Sequence, residues 1–205
     1  MIFEQFIVGS MQNFCYIFAD KDTLEGFVVD PAFDPEQILN KIKQHKINLT
    51  RIILTHHHFD HINAATRVKA STGAKVCCHP QTVLQGEVDR DILLEDNDSF
   101  KVGEKTVKCF HTPGHAPGSI CLQVDDKWLI TGDTLFIGNC GRADLQDSNP
   151  EDLFTSLQRL KKLPDNLMVC SGHNYGAAKA RTLAEEKAQN PALKAKNLDE
   201  FMRVP

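Results

Sequence analysis

Between residues 55 and 61 the chain reads Thr55-His56-His57-His58-Phe59-Asp60-His61, a dense run of imidazoles and one carboxylate. Neutral imidazole and carboxylate are the donors that zinc and similar divalent ions prefer. A protein surface has little use for so many of them without a ligand. His56, His58, Asp60 and His61 are therefore candidate metal ligands. Side chains alternate in an extended loop, so His57 is expected to turn away from His56 and His58. The run follows the apolar stretch Arg51-Ile52-Ile53-Leu54. A loop leaving the C-terminal end of a buried strand is where α/β folds place functional groups.

Six neighbouring residues cannot close a catalytic site, and three distant candidates share the same local grammar of apolar strand, small or turn residue, then ligand. His115 ends Thr112-Pro113-Gly114-His115. Asp133 lies in Thr131-Gly132-Asp133-Thr134, directly after Trp128-Leu129-Ile130. His173 lies in Ser171-Gly172-His173-Asn174-Tyr175, after Leu167-Met168-Val169-Cys170. Such repetition predicts a common rim. His45, His79 and His111 lack this setting and read as ordinary loop histidines. Asp30 ends a strand-like run, where it would either orient a ligand imidazole or cap the turn before Pro31.

The elements that must position these residues are legible in outline. Strand-like runs open the chain at Phe6-Ile7-Val8, Phe14 to Phe18 and Gly26 to Val29. A helix is predicted after Pro35, with Ile38, Leu39 and Ile42 on one face. Another runs from His61 to about Thr72 and stops at Gly73. Val76-Cys77-Cys78 is a short strand, and residues 98–131 hold several more. Leu153, Phe154, Leu157 and Leu160 mark a third helix. A last helix is predicted from Ala177 to Ala188, with Asn190-Pro191 as its stop. Strands interspersed with helices in both halves suit one layered α/β domain over residues 1–191. Residues 192–205 then form a C-terminal tail.

Composition narrows the function class. The 205 residues suffice for one well-buried core. A net charge of −4 and a pI near 6.1 give no electrostatic basis for binding nucleic acid or anionic membrane. No apolar run reaches the 18 or so residues of a membrane span. The N-terminus lacks the basic region of a signal peptide. The seven cysteines are odd in number and form no CxxC pair. Buried free thiols, and hence a cytoplasmic location, are the expectation.

The series His56-x-His58-x-Asp60-His61, His115, Asp133, His173 resembles the ligand set of the metallo-β-lactamase superfamily in order and context. The resemblance runs from the early strands to Pro191. It implies an αββα four-layer sandwich in a single domain, with metal at one edge between two sheets. In binuclear members, one ion is held by the equivalents of His56, His58 and His115. The other is held by those of Asp60, His61 and His173, and Asp133 bridges the pair. Asp60 and Asp133 are the carboxylates expected at the reacting centre. The stretches Gly132-Asp133-Thr134-Leu135-Phe136, Cys140-Gly141-Arg142 and Gly172-His173-Asn174-Tyr175 look most like the glyoxalase II branch. That branch includes hydroxyacylglutathione hydrolases, short bacterial hydrolases and persulfide dioxygenases.

Two features depart from glyoxalase II proper. The chain is too short for its helical C-terminal domain, which helps hold glutathione. Asp144 stands where the hydrolases usually carry an aromatic residue, as in the persulfide dioxygenases, whereas bulky Phe59 is closer to the hydrolases. The chemistry implied is that of two divalent ions, zinc or with iron in one or both sites. They lower the pKa of a shared water from 15.7 to roughly 7, and the resulting hydroxide attacks the substrate. A thioester suits it, since a thiolate with a pKa near 8.5 departs with little acid help. The expected function is a thioesterase of the hydroxyacylglutathione hydrolase type, acting on a small-molecule thioester or glutathione-type substrate. The alternative is a mononuclear iron persulfide dioxygenase acting on glutathione persulfide. Arg142, Asp144 and Tyr175 are the candidate substrate contacts. Arg142 suits a substrate carboxylate, against the competing reading of a surface ion pair with Asp144.

Overall fold

Continuous apolar runs in the first half become β1 (Ile2–Val8), β2 (Asn13–Ala19), β3 (Glu25–Val29), β4 (Asn48–Ile53), β5 (Lys75–Cys78) and β6 (Ile92–Leu93). They lie side by side in that order in one sheet. The first three form an antiparallel meander, whereas β3 to β6 run parallel. Parallel neighbours need crossovers. These carry α1 (Pro35–Gln44), α2 (Phe59–Ile62) and α3 (Ala65–Thr72). The chain is described here from a computed structural model, which covers residues 1–84 and 88–204. Pro205, the end of the expected tail, lies outside the described residues.

The second sheet holds β7 (Ser99–Val102), β8 (Lys105–His111), β9 (Ile120–Val124), β10 (Trp128–Gly132), β13 (Met168–Ser171) and β14 (Arg181–Thr182). Its order is β14-β13-β10-β9-β8-β7, with β10 and β13 parallel. A small hairpin of β11 (Leu135–Phe136) and β12 (Asn139–Cys140) follows β10. The remaining helices are α4 (Pro150–Leu160), α5 (Leu183–Gln189), α6 (Pro191–Lys194) and α7 (Leu198–Phe201).

Three apolar clusters define four layers. Phe14, Phe18, Phe27 and Ile53 of the first sheet meet Ile120, Leu122 and Ile130 of the second. Outside the first sheet, Ile38 and Ile42 of α1 and Val68 of α3 cover Val28, Ile52 and Val76. Outside the second, Leu153 and Leu157 of α4 cover Cys121, Leu129 and Val169. Each such fully buried side chain contributes about 1.5–3 kcal/mol. The αββα sandwich expected of the resemblance is the fold observed. Residues 192–204, expected as a tail, place Ala192, Leu193 and Phe201 in the third cluster, with Phe201 against Phe154.

Two helix boundaries differ from the sequence reading. The single helix expected over 61–72 is broken between α2 and α3. Asn63 Oδ1 there accepts from the Phe33 amide at 2.6 Å, and the Ala64 amide donates to the Pro31 carbonyl. These tertiary bonds outcompete the helical ones and turn the buried Asp60 and His61 inward. The last predicted helix starts at Leu183 rather than Ala177. Thr182 and Glu185 form a capping box, and Arg181–Thr182 pair with β13. That helix stops where expected, at Gln189 before Asn190-Pro191, and Pro191 then opens a further short helix, α6, capped by Asn190. Proline loses nothing at a first helical position, where the N–H has no partner anyway. Among the described residues, no helix is long and apolar enough to cross a membrane.

Candidate metal centre

One edge of the sandwich collects the C-terminal ends of both sets of parallel strands. Asp30 follows β3, residues 55–61 follow β4, Asp133 follows β10 and His173 follows β13. His115 lies in the loop between β8 and β9. Parallel pairing puts these exits on the same side, so residues over 100 positions apart meet. His56, His58 and His115 form one set whose ligand-type atoms lie within 4.8 Å of one another. Asp60, His61 and His173 form a second such set.

The inner nitrogens face each other. His58 Nδ1 is 3.0 Å from His115 Nε2, and His61 Nε2 is 3.2 Å from His173 Nε2. Asp60 Oδ2 stands 3.5 Å from both His61 Nε2 and His173 Nε2. Asp133 lies between the sets: Oδ1 is 3.5 Å from His61 Nε2, and Oδ2 is 3.6 Å from His115 Nε2 and 3.3 Å from His173 Nε2. Glycine makes this approach feasible. A Cβ at Gly172 would overlap Asp133 Oδ1, and one at Gly141 would overlap the Asp133 carbonyl.

The outer nitrogens are held, which sets the tautomers. His115 Nδ1 donates to the Arg142 carbonyl at 2.9 Å, and His173 Nδ1 to that of Met11 at 3.0 Å. A carbonyl only accepts, so both rings carry their proton outside and present Nε2 inside. Asp30 Oδ2 accepts from His61 Nδ1 at 3.0 Å. The same carboxylate accepts from the Thr55 amide and hydroxyl at 2.7 and 2.6 Å. With its hydrogen spent on Asp30, Thr55 Oγ1 accepts from His56 Nδ1 at 3.0 Å. His56 Nε2 is then a buried lone pair with no hydrogen-bond partner, as is Asp133 Oδ1. Leaving such atoms unpaired costs about 1–3 kcal/mol each. A divalent cation would satisfy both, and the donor set of imidazoles and carboxylates suits zinc or iron.

A family profile of the metallo-beta-lactamase superfamily matches residues 8–173. The chain belongs to the metallo-β-lactamase superfamily. A probable polyketide biosynthesis zinc-dependent hydrolase, BaeB, of Bacillus velezensis is 34% identical over 80% of this chain and 74% of its own length. A hydroxyacylglutathione hydrolase of Cereibacter sphaeroides is 35% identical over 88% and 70% respectively. The crystal structure of ETHE1 from Myxococcus xanthus is 30% identical and superimposes with a TM-score of 0.88 over 100% of this chain and 92% of that one. Membership makes the chain an enzyme of the superfamily's hydrolase type, and its His and Asp groups suit a metal ion.

Electrostatics divide the superfamily's two ligand sets in this chain. Burial pushes His56 well below its ordinary value, and His61 and His115 nearby add to this. His58 falls to about 4, through burial and then His115. His115 is also lowered by burial, with Asp133 opposing. These three rings are neutral. Burial acts to lower His61 too, but Asp133 and Asp30 outweigh it and lift the ring to about 9. Burial would raise Asp133, yet His61 and His173 hold it down at about 2.

The rim departs from expectation in places. Arg142 is in a bidentate pair with Asp144 at 2.8 and 3.0 Å, with both side chains about 70% exposed (68% and 71%). It thus takes the geometry of the competing ion-pair reading. Tyr175 stacks on the His173 ring at 4.5 Å and donates its hydroxyl to the Met11 carbonyl at 3.2 Å. His57 turns from the inner nitrogens to Asp147 at 2.9 Å. Sequence reasoning missed Asp147 and Asn13, whose Nδ2 donates to Asp60 Oδ2 at 2.8 Å. Neither has a local signal, because their partners lie 90 and 47 residues away. His79 and His111 stack on each other at 3.7 Å and His45 pairs with Glu4, so none joins a metal-type group among the described residues.

Proposed function

We propose that this superfamily member is a binuclear metal-dependent thioester hydrolase of the hydroxyacylglutathione hydrolase type. The observation that carries the reading is Asp133, whose two carboxylate oxygens reach ring nitrogens of both ligand sets. In this reading His56, His58 and His115 hold one ion, Asp60, His61 and His173 hold the other, and Asp133 serves both. Zinc is the proposed metal, as in the name of the similar BaeB hydrolase, with iron as the variant. Bound ions would supply a water acidic enough to be deprotonated near neutral pH and a positive charge for the carbonyl oxygen.

The chain's own groups do the rest. The Arg142 and Met11 carbonyls and Asp30 keep each imidazole aimed inward. Asn13 holds Asp60 Oδ2 in place. Asp133, which His61 and His173 keep ionised against the effect of burial, would lend its negative charge to both ions, and the proton of the attacking water would pass to solvent. No further acid is needed, because a thiol leaves as a thiolate. The similarity to a hydroxyacylglutathione hydrolase supports a glutathione-type small molecule. Arg142, Asp144 and Tyr175, the last stacked on the His173 ring, are the proposed substrate contacts. Cysteines that are all free suit a reducing cytoplasm.

The second reading, an iron persulfide dioxygenase, is favoured by one feature, the Arg142–Asp144 loop. The likeness to ETHE1 is compatible with both. Zinc and iron counted per chain, with thiol release from S-lactoylglutathione assayed beside oxygen uptake with glutathione persulfide, separates them. Two metals and thiol release are expected. Oxygen uptake with one iron per chain and no thiol release overturns the hydrolase reading.

A further inference from the structure

We propose that the cleft beside His58 binds an extended apolar acyl chain, so that the preferred substrates are fatty-acyl thioesters and not short hydroxyacyl ones. This rests on the hydrolase reading of the metal centre and adds the acyl half of the substrate.

The cleft has a volume of about 1010 Å³ and opens directly from the centre, with His57 and His58 in its wall. Small-molecule sites span roughly 300–1,000 Å³, and a two- or three-carbon acyl group would leave most of this one to water. Phe59, Ile62, Val83, Val88 and Leu145 give it an apolar wall, beside the polar His57, His58, Asn63, Thr66, Gln146 and Asp147. Phe59 is 62% exposed and Val83 64% exposed. Large apolar side chains left in water next to a reacting centre mark a surface that a ligand covers.

Part of the polar surface of the cleft is already engaged, although the buried His57 Nδ1 has no hydrogen-bond partner. His57 Nε2 and Asp147 Oδ2 pair at 2.9 Å, and Asn63 Oδ1 accepts from the Phe33 amide. Among the described residues, none that lines it is Lys or Arg. An anionic thiol such as glutathione finds no counter-charge here. Arg142 stands in a different depression of about 410 Å³, lined by residues 139–144 and the end of the chain. Loop 139–147 contributes Arg142 and Asp144 to the charged depression and Leu145 to the cleft, and the Arg142 carbonyl accepts from His115 of the centre. The thiol takes the depression and the acyl chain the cleft.

The test has a binding arm and a turnover arm. Straight-chain carboxylates, the product acids, are titrated calorimetrically into the metal-loaded protein from acetate to octanoate. A methylene fully removed from water is worth about fourfold, so in an open cleft affinity should rise roughly twofold per methylene. S-acylglutathiones of the same lengths should show kcat/KM rising in parallel. Val83→Asp and, independently, Leu145→Ser alter side chains of the cleft wall outside the metal centre and spare the fold. Each should flatten both slopes while leaving acetyl-thioester turnover within about threefold. Equal affinity from acetate to octanoate, or slopes unchanged in both variants, overturns the acyl cleft. A rising affinity series without hydrolysis of any thioester upholds the cleft and sinks the hydrolase reading instead.

Discussion

The two ligand sets of the centre sit side by side, share Asp133, and yet differ in charge. His56, His58 and His115 crowd one another, and at His58 and His115 burial outweighs the opposing pull of Asp133, so all three rings stay neutral. His61 faces Asp30, Asp60 and Asp133, which hold a proton on it up to about pH 9. A neutral ring offers a lone pair at once, whereas a protonated one must first give up its proton. One set is therefore ready for a cation, and the other exchanges a proton for it.

The largest effect should come from the residue common to both sets. Asp133→Ala is expected to lower activity at least about 100-fold and to lower metal content at both sites, read by metal analysis beside turnover. Full activity in that variant would refute the proposed centre. The next test separates the sets by pH. Zinc binding to the His61 set should strengthen about tenfold per pH unit up to about 9 and then level off, because each bound ion displaces the His61 proton. Binding to the His58 set should be flat well above about 4, where that ring titrates. Competition titrations with a chelator at several pH values read both, and parallel slopes would erase the distinction.

Asp30→Asn should weaken the His61 set by about 10-fold and barely touch the other. Equal weakening of both in two-step zinc titrations would make Asp30 a support of the 55–61 loop as a whole. The smallest effect belongs outside either set. Arg142→Ala is expected to raise KM several-fold for a carboxylate-bearing thioester, with metal content and melting temperature unchanged. Exposed ion pairs such as Arg142–Asp144 are screened by solvent and add little to stability. A drop in metal content would show that this loop acts through the Arg142 carbonyl on His115.

Much of the centre was legible because its signals are local. The run from His56 to His61 carries its chemistry in residue type and spacing. The strand-then-turn settings of His115, Asp133 and His173 exposed them despite their distance. Asp30 was found because it ends a strand. Legibility failed where a role depends on a partner far along the chain. Nothing around Asn13 or Asp147 announces a contact with Asp60 or His57. The broken helix at Asn63 failed for the same reason, since a side chain reaching Phe33 overrode a good local helical pattern.

Residue types and hydrophobic periodicity by themselves pointed to one layered α/β domain and to the members of the metal-type cluster, and the resemblance carried by that cluster implied the αββα order. The domain type and the cluster follow from short-range rules, namely which residues bury and which donate lone pairs. Only the tertiary structure decided the protonation of each imidazole, because that depends on carbonyls and carboxylates brought in from other strands. It likewise decided the sharing of Asp133 between the sets, the withdrawal of Arg142 into its pair with Asp144, and the apolar cleft beside His58. Each of these is a through-space relation between segments 30 or more residues apart or a choice between solvent and neighbour, and the order of residues along the chain does not encode it.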